Sequence, residues 1–195
     1  MAMPLPMPEP IEDEDLPTIG DVWDRTPSYP GFQVEVIDGS LVVSPRGNFR
    51  HARINFHLHS AFHEIALEKD WLLCHELTVH LESNQDRIEP DLVVVAPDAP
   101  LFGDSEVFGR GILLAAEVTS KGNAARDRFA KPRNCALSGV PLYLLVDPIE
   151  EPMSVTLFSD PSEDGYQTLD RVTASDKLWL PEPFALALDT GPLRV

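Results

Sequence analysis

The sequence predicts an α/β fold in which a mixed β-sheet core is flanked by helices and followed by a C-terminal β meander. Three observations carry that expectation. Short, nearly continuous apolar runs at residues 92–95, 113–118 and 140–146 read as strands buried on at least one face. A long stretch over residues 48–68 repeats Ile54, Leu58, Ala61 and Ile65 at spacings that keep one apolar face of a helix. Between residues 112 and 146 the order is strand, helix, strand, which calls for a right-handed crossover joining parallel strands.

The elements follow in order. Thr18 caps a short helix over residues 19–25, and Thr26-Pro27-Ser28-Tyr29-Pro30-Gly31 ends it. Residues 32–37 and 41–44 flank Asp38-Gly39, a pair suited to a tight hairpin turn, and Glu35 stands mid-strand. After the long helix, residues 71–82 and 88–96 read as two strands joined by the polar Ser83-Asn84-Gln85-Asp86-Arg87. A third strand spans residues 112–119. Asn123 then caps a helix that runs to Ser138 and stops at Gly139. Pro132 falls inside that helix, where it removes a hydrogen bond, so a kink or a restart is expected. The strand 140–146 closes on Asp147-Pro148, and residues 154–158, 166–169 and 184–188 form the meander.

With 195 residues, 43 % of them hydrophobic, the chain has the core of one ordinary domain. Pro4, Pro6, Pro8, Pro10 and Pro17 run among Glu9, Glu12, Asp13, Glu14 and Asp15, which sets residues 1–17 apart as a disordered acidic lead before a single domain over residues 18–195. The lead lacks the basic start and apolar stretch of a secretory signal, and no later segment has the apolar length of a membrane span, so a cytoplasmic protein is expected. Cys74 and Cys135 are isolated, which suggests reduced thiols and no zinc knuckle.

A net charge of −17 argues, taken alone, against a nucleic-acid partner. The distribution of cations argues the other way. Arg46, Arg50 and Arg53 share one segment and Lys121, Arg126, Arg128, Lys131 and Arg133 another, together eight of the fifteen basic residues.

Two acids interrupt apolar runs: Asp91 in Pro90-Asp91-Leu92-Val93-Val94-Val95 and Glu117 in Leu113-Leu114-Ala115-Ala116-Glu117-Val118. An ionised carboxylate in such a place is costly unless a cation or several hydrogen bonds compensate it. Strand alternation puts Asp91, Val93 and Val95 on one face, and Leu113, Ala115, Glu117 and Thr119 on one face of the other strand. Neighbouring strands then set the two acids together. Carboxylate oxygens suit Mg2+ or Mn2+, which leave positions for water and a phosphate oxygen. A lysine beside them orients that water and stabilises developing charge.

The ordered set Glu35-Val36-Ile37-Asp38-Gly39, Ser44-Pro45 with His51, Pro90-Asp91-Leu92-Val93-Val94, Glu117-Val118-Thr119-Ser120, Asp127-Arg128-Phe129-Ala130-Lys131, Gly139-Val140-Pro141 and Leu144-Leu145-Val146-Asp147-Pro148 resembles the PD-(D/E)xK nuclease superfamily. Within it, the chain is similar to the bacterial Uma-two family, classed among the restriction endonucleases. The resemblance implies a restriction-endonuclease-like core, catalytic Asp91, Glu117 and Lys131, and a supporting Glu35. It further implies a Mg2+ or Mn2+ ion on Asp91, Glu117 and Glu35, a DNA substrate and a homodimer. Thr119 stands where the motif lysine usually lies, and Lys131 on the next helix is the family's replacement.

Other readings remain beside these. Lys131 can instead pair with Asp127 one turn earlier, and Glu35 can face solvent. His51 is either a packed cap-region residue or a phosphate contact. His59 and His63 have one-turn spacing, but no further ligand makes them a zinc site. For the whole chain the rivals are an inactive nuclease-fold binding or regulatory module and a hydrolase of small phosphoesters.

Overall fold

The computed structural model describes residues 17–195. The acidic lead expected at residues 1–17 lies outside the described residues except for Pro17. The helices are α1 (Ile19–Arg25), α2 (Phe49–Lys69) and α3 (Lys131–Leu137), the last preceded by a π-helical turn over Arg126–Ala130. The first strands are β1 (Phe32–Ile37), β2 (Ser40–Pro45), β3 (Leu72–Cys74), β4 (Val79–Leu81), β5 (Asp86–Ile88) and β6 (Leu92–Val95). They are followed by β7 (Leu101–Phe102), β8 (Glu106–Phe108), β9 (Ile112–Val118), β10 (Leu142–Asp147), β11 (Ser154–Ser162) and β12 (Gly165–Thr173), with β13 (Lys177–Leu180) and β14 (Leu186–Asp189) last.

Two six-stranded sheets organise the chain, in the orders β2-β1-β5-β4-β8-β7 and β12-β11-β10-β9-β6-β3. The second is the mixed core sheet expected from sequence. Its β9 and β10 are parallel, as the crossover requires, and β6 runs antiparallel to β9. The expected meander is different: β11 and β12 extend this core sheet, while β13 and β14 pair as a separate hairpin.

The two strands expected at 71–82 and 88–96 each break in two, and the halves enter different sheets. β4 pairs with β5 in one sheet, and β3 pairs with β6 in the other, so one long hairpin bends across both. The breaks have local causes. Glu76 adopts a left-handed backbone with φ of 57° on the first arm. On the second, Pro90 supplies no N–H to a ladder. Asp91 therefore sits where the chain passes from one sheet to the other.

The core sheet is covered on both faces. On one side Ile54, Leu58 and Phe62 of α2 meet Leu92, Val94, Leu114 and Ala116. The buried stripe Ile54, Leu58, Phe62, Ala66 steps by four residues and so slants around the helix more than the expected one, with Ala61 and Ile65 on its flank. Asn48 caps α2 by accepting from the His51 N–H at 3.1 Å. On the other side Val93, Ala115, Tyr143 and Leu145 pack with Cys135 of α3 and with Val79 and Ile88 of the second sheet. Asp91 and Glu117 project to this side, in step with Val93 and Ala115. Leu113 does not share that face: the register slips between Val94 and Val95, making Leu113 the bulged residue.

Candidate active site

Glu117 is the penultimate residue of β9 and Glu35 lies in β1 of the other sheet, yet both reach the same ammonium. Lys131 Nζ stands 2.6 Å from Glu117 Oε1, 2.8 Å from Glu35 Oε1 and 3.5 Å from Asp127 Oδ1. The lysine is only 1 % exposed. Burial alone would lower its pKa, but Glu117, Glu35 and Asp127 hold it well above the ordinary value. It is an ammonium fixed by three carboxylates. The pairing with Asp127 weighed for Lys131 is present, but it is buried and not a surface pair.

Pro132 is accommodated without disturbing this aim. The chain enters the helix through the π turn, and α3 restarts with Pro132 in its first turn, where a missing N–H is tolerated. In the i to i−5 register of the π turn, the carbonyl that Pro132 cannot serve is that of Asp127. Tyr143 Oη donates to it at 2.9 Å. Such π turns are common at functional sites.

Glu35 is fully engaged. Its Oε1 also accepts from the Glu89 N–H at 2.9 Å, and its Oε2 accepts from Gln33 Nε2 at 3.2 Å. It points inward, not to solvent.

Asp91 belongs to a second, more open cluster. Its Oδ2 accepts from the Val118 N–H at 2.7 Å and faces His51 Nε2 at 3.0 Å. His51 is thus a partner of Asp91, a role that neither sequence alternative contained. Burial would raise the Asp91 pKa, but the His51 hydrogen bond and charge, with the Val118 N–H, hold it below the usual range. Burial likewise would lower the His51 pKa, and Asp91 reverses the sign and raises it. His75 Nδ1 donates to the Asp91 carbonyl at 2.6 Å, and its Nε2 meets His59 Nδ1 at 3.1 Å. The His63 ring lies beside His59 at 5.8 Å between centroids.

The two clusters differ in charge balance. Asp91 has His51, whereas three carboxylates share Lys131. Burial pushes Glu117 well above the carboxylate range, and Lys131 only partly offsets it. Asp127 is pushed up to about 6, again chiefly by burial. Asp127 Oδ1 and Thr119 Oγ1 are buried with no hydrogen-bond partner.

Among the described residues no three His, Cys, Asp or Glu side chains form a ready-made cation cage. The donor set still fits a hard divalent ion. Such an ion takes one or two carboxylates and keeps water or substrate oxygens in its remaining positions. Asp91 Oδ1 and Glu117 Oε2 accept no hydrogen bond from the described residues, and the excess negative charge around Lys131 favours a cation.

A cleft of about 480 Å³ opens over Asp91 and His51, walled by Asn55, Phe56, His59 and His75. The basic segments contribute less to it than their sequence position suggested. Arg46 is bound to Glu76 at 2.9 Å and Glu89 at 3.5 Å, Arg128 to Asp147 at 2.7 Å, and Arg133 to Asp38 at 2.7 Å. Arg50 binds the carbonyls of Val195 and Pro148.

Asp127, His75 and Asn55 were not singled out from sequence as site residues. Asp127 was detectable as the acid one turn before Lys131. The other two carry no such signal.

The family model described as "Uma2: Putative restriction endonuclease" matches residues 21–191. Among solved structures, the chain is similar to a putative nuclease of the DUF820 group from Anabaena variabilis ATCC 29413, with a TM-score of 0.68 and 19 % identity over 92 % of this chain and 98 % of that one. That likeness establishes a shared fold. No curated protein matches the chain.

Proposed function

The chain belongs to the Uma2 family, described as "Putative restriction endonuclease", and we propose that it is a metal-dependent endonuclease that hydrolyses DNA phosphodiesters. The observation that carries the reading is the meeting of Asp91, Glu117, Glu35 and Lys131 at the junction of the two sheets.

In this reading Asp91 and Glu117 hold Mg2+ or Mn2+ through their unpartnered oxygens. When bound, the ion polarises the phosphate and lowers the pKa of a water. The chain's own groups do the rest. The Val118 N–H and His51 lock the Asp91 carboxylate so that one oxygen stays turned from the protein's own donors. Lys131 orients the attacking water and offsets charge developing on the phosphate. Glu35 holds the Lys131 ammonium in place, and any contact it makes to the ion adds to that role. The enzyme works as a homodimer in the cytoplasm.

The test is cleavage of supercoiled and single-stranded DNA in Mg2+ and in Mn2+ by the wild type, Asp91→Ala and Glu117→Ala. Loss of cleavage in both variants is expected. Cleavage that survives both substitutions contradicts the site, and no cleavage with retained DNA binding points to an inactive binding module.

A further inference from the structure

We propose that DNA enters this site as a single strand, with successive unpaired bases lodged in two aromatic pockets that meet at Arg46. The inference rests on the nuclease reading and adds the form of its substrate.

The cleft over Asp91 adjoins a second pocket of about 370 Å³, and Arg46 and Glu89 line both. The second pocket is walled by Trp23, Tyr29 and Phe32, and Tyr29 and Phe32 are 48 % and 45 % exposed. In the first, Phe56 is 67 % exposed on α2. Beside it, the His59 and His75 rings lie 19° apart in plane and are joined nitrogen to nitrogen at 3.1 Å. They make one flat wall. Exposed rings on both sides of a single cation suit a strand that stacks its bases and passes its phosphates between them.

Charge points the same way. Duplex binding draws most of its affinity from many Lys and Arg contacts to two phosphate backbones. This groove has one guanidinium, shared with Glu76 and Glu89. A single strand presents one phosphate backbone rather than two, and base–aromatic stacking adds about 1–3 kcal/mol per base to its binding.

The experiment titrates the full chain into a short oligonucleotide containing 2-aminopurine, single-stranded or annealed to its complement, in Ca2+, reading anisotropy and base fluorescence. The variants are Tyr29→Ala and Phe56→Ala, with Trp179→Ala as an exposed aromatic outside both pockets. The single strand is expected to bind about tenfold or more tighter than the duplex, with a change in base fluorescence. Each pocket variant should weaken it between ~5- and ~150-fold, the range of one lost stack, with Trp179→Ala unchanged. Equal or tighter duplex binding, no binding of either, or pocket variants that behave as Trp179→Ala overturns the inference. Cleavage in Mg2+ is scored separately. Single-strand binding without cleavage removes the nuclease reading alone, and duplex cleavage without single-strand preference removes this inference alone.

Discussion

The Lys131 cluster and the Asp91 cluster adjoin one another but solve the burial of charge differently. Around Lys131, three carboxylates share one ammonium, and the lysine, Glu35, Glu117 and Asp127 side chains are at most 5 % exposed. Around Asp91, one carboxylate meets one imidazole and one backbone N–H, and the cleft opens on both side chains. The first cluster is overcharged and closed; the second is balanced and accessible. A buried ion pair is weak evidence for stability, because desolvation opposes the attraction. In the proposed reading, the surplus charge around Lys131 is readiness for a cation, with Asp91 as the side from which it and the substrate arrive.

The largest test of this contrast is Lys131→Met. It leaves Glu35, Glu117 and Asp127 buried without a counter-ion, so we expect a loss of about 3–5 kcal/mol in urea unfolding together with loss of cleavage. A stable Lys131→Met protein shows that the ammonium does not hold the junction.

The pH dependence of the metal-free protein is next in size. Asp127 titrates near 6 in the folded chain against 3.8 in its ordinary state, so the folded form holds its proton more tightly. That contribution is fully present below about pH 3.8 and lost as pH rises through 6, amounting to roughly 2–3 kcal/mol. Glu117 and His51, whose pKa values are also raised, add losses in the same direction. Urea unfolding at pH 5 and pH 7.5, with and without Mg2+, measures it. Mg2+ should recover stability at the higher pH and do little at the lower one.

Two conservative substitutions then separate the clusters. Asp91→Asn removes a charge that His51 and Val118 stabilise, and should cost about 1–2 kcal/mol. Glu117→Gln removes one of three competing charges and should leave the metal-free protein unchanged or up to about 1 kcal/mol more stable, in keeping with active-site groups that trade stability for function. Both should abolish cleavage. Equal destabilisation by the two substitutions in thermal unfolding removes the distinction drawn between them.

Much of the site was legible in sequence because its signals are local. Asp91 and Glu117 stand out as acids in apolar runs, and alternation placed both on one side of the core sheet. The Thr18 cap and the Asp38-Gly39 turn were read from single residues. What escaped depends on contacts between distant segments. Nothing in residues 71–96 shows that one hairpin is divided between two sheets, although Pro90 marks one of the breaks. The restart expected at Pro132 is explained only when Tyr143, eleven positions later, is seen to serve the Asp127 carbonyl. Glu35 could not be assigned from its own strand, since its partner Lys131 comes from another layer. His75 reaches Asp91 through a backbone carbonyl, which leaves no pattern in the sequence.

The central claim is that the junction between the two clusters is a divalent-metal site. Its most direct test is calorimetric titration of Mn2+ into the wild type, Asp91→Asn and Glu117→Gln at pH 8. The account predicts saturable binding to the wild type that is lost in both variants while His59→Ala retains it. Binding that survives both carboxylate substitutions contradicts it.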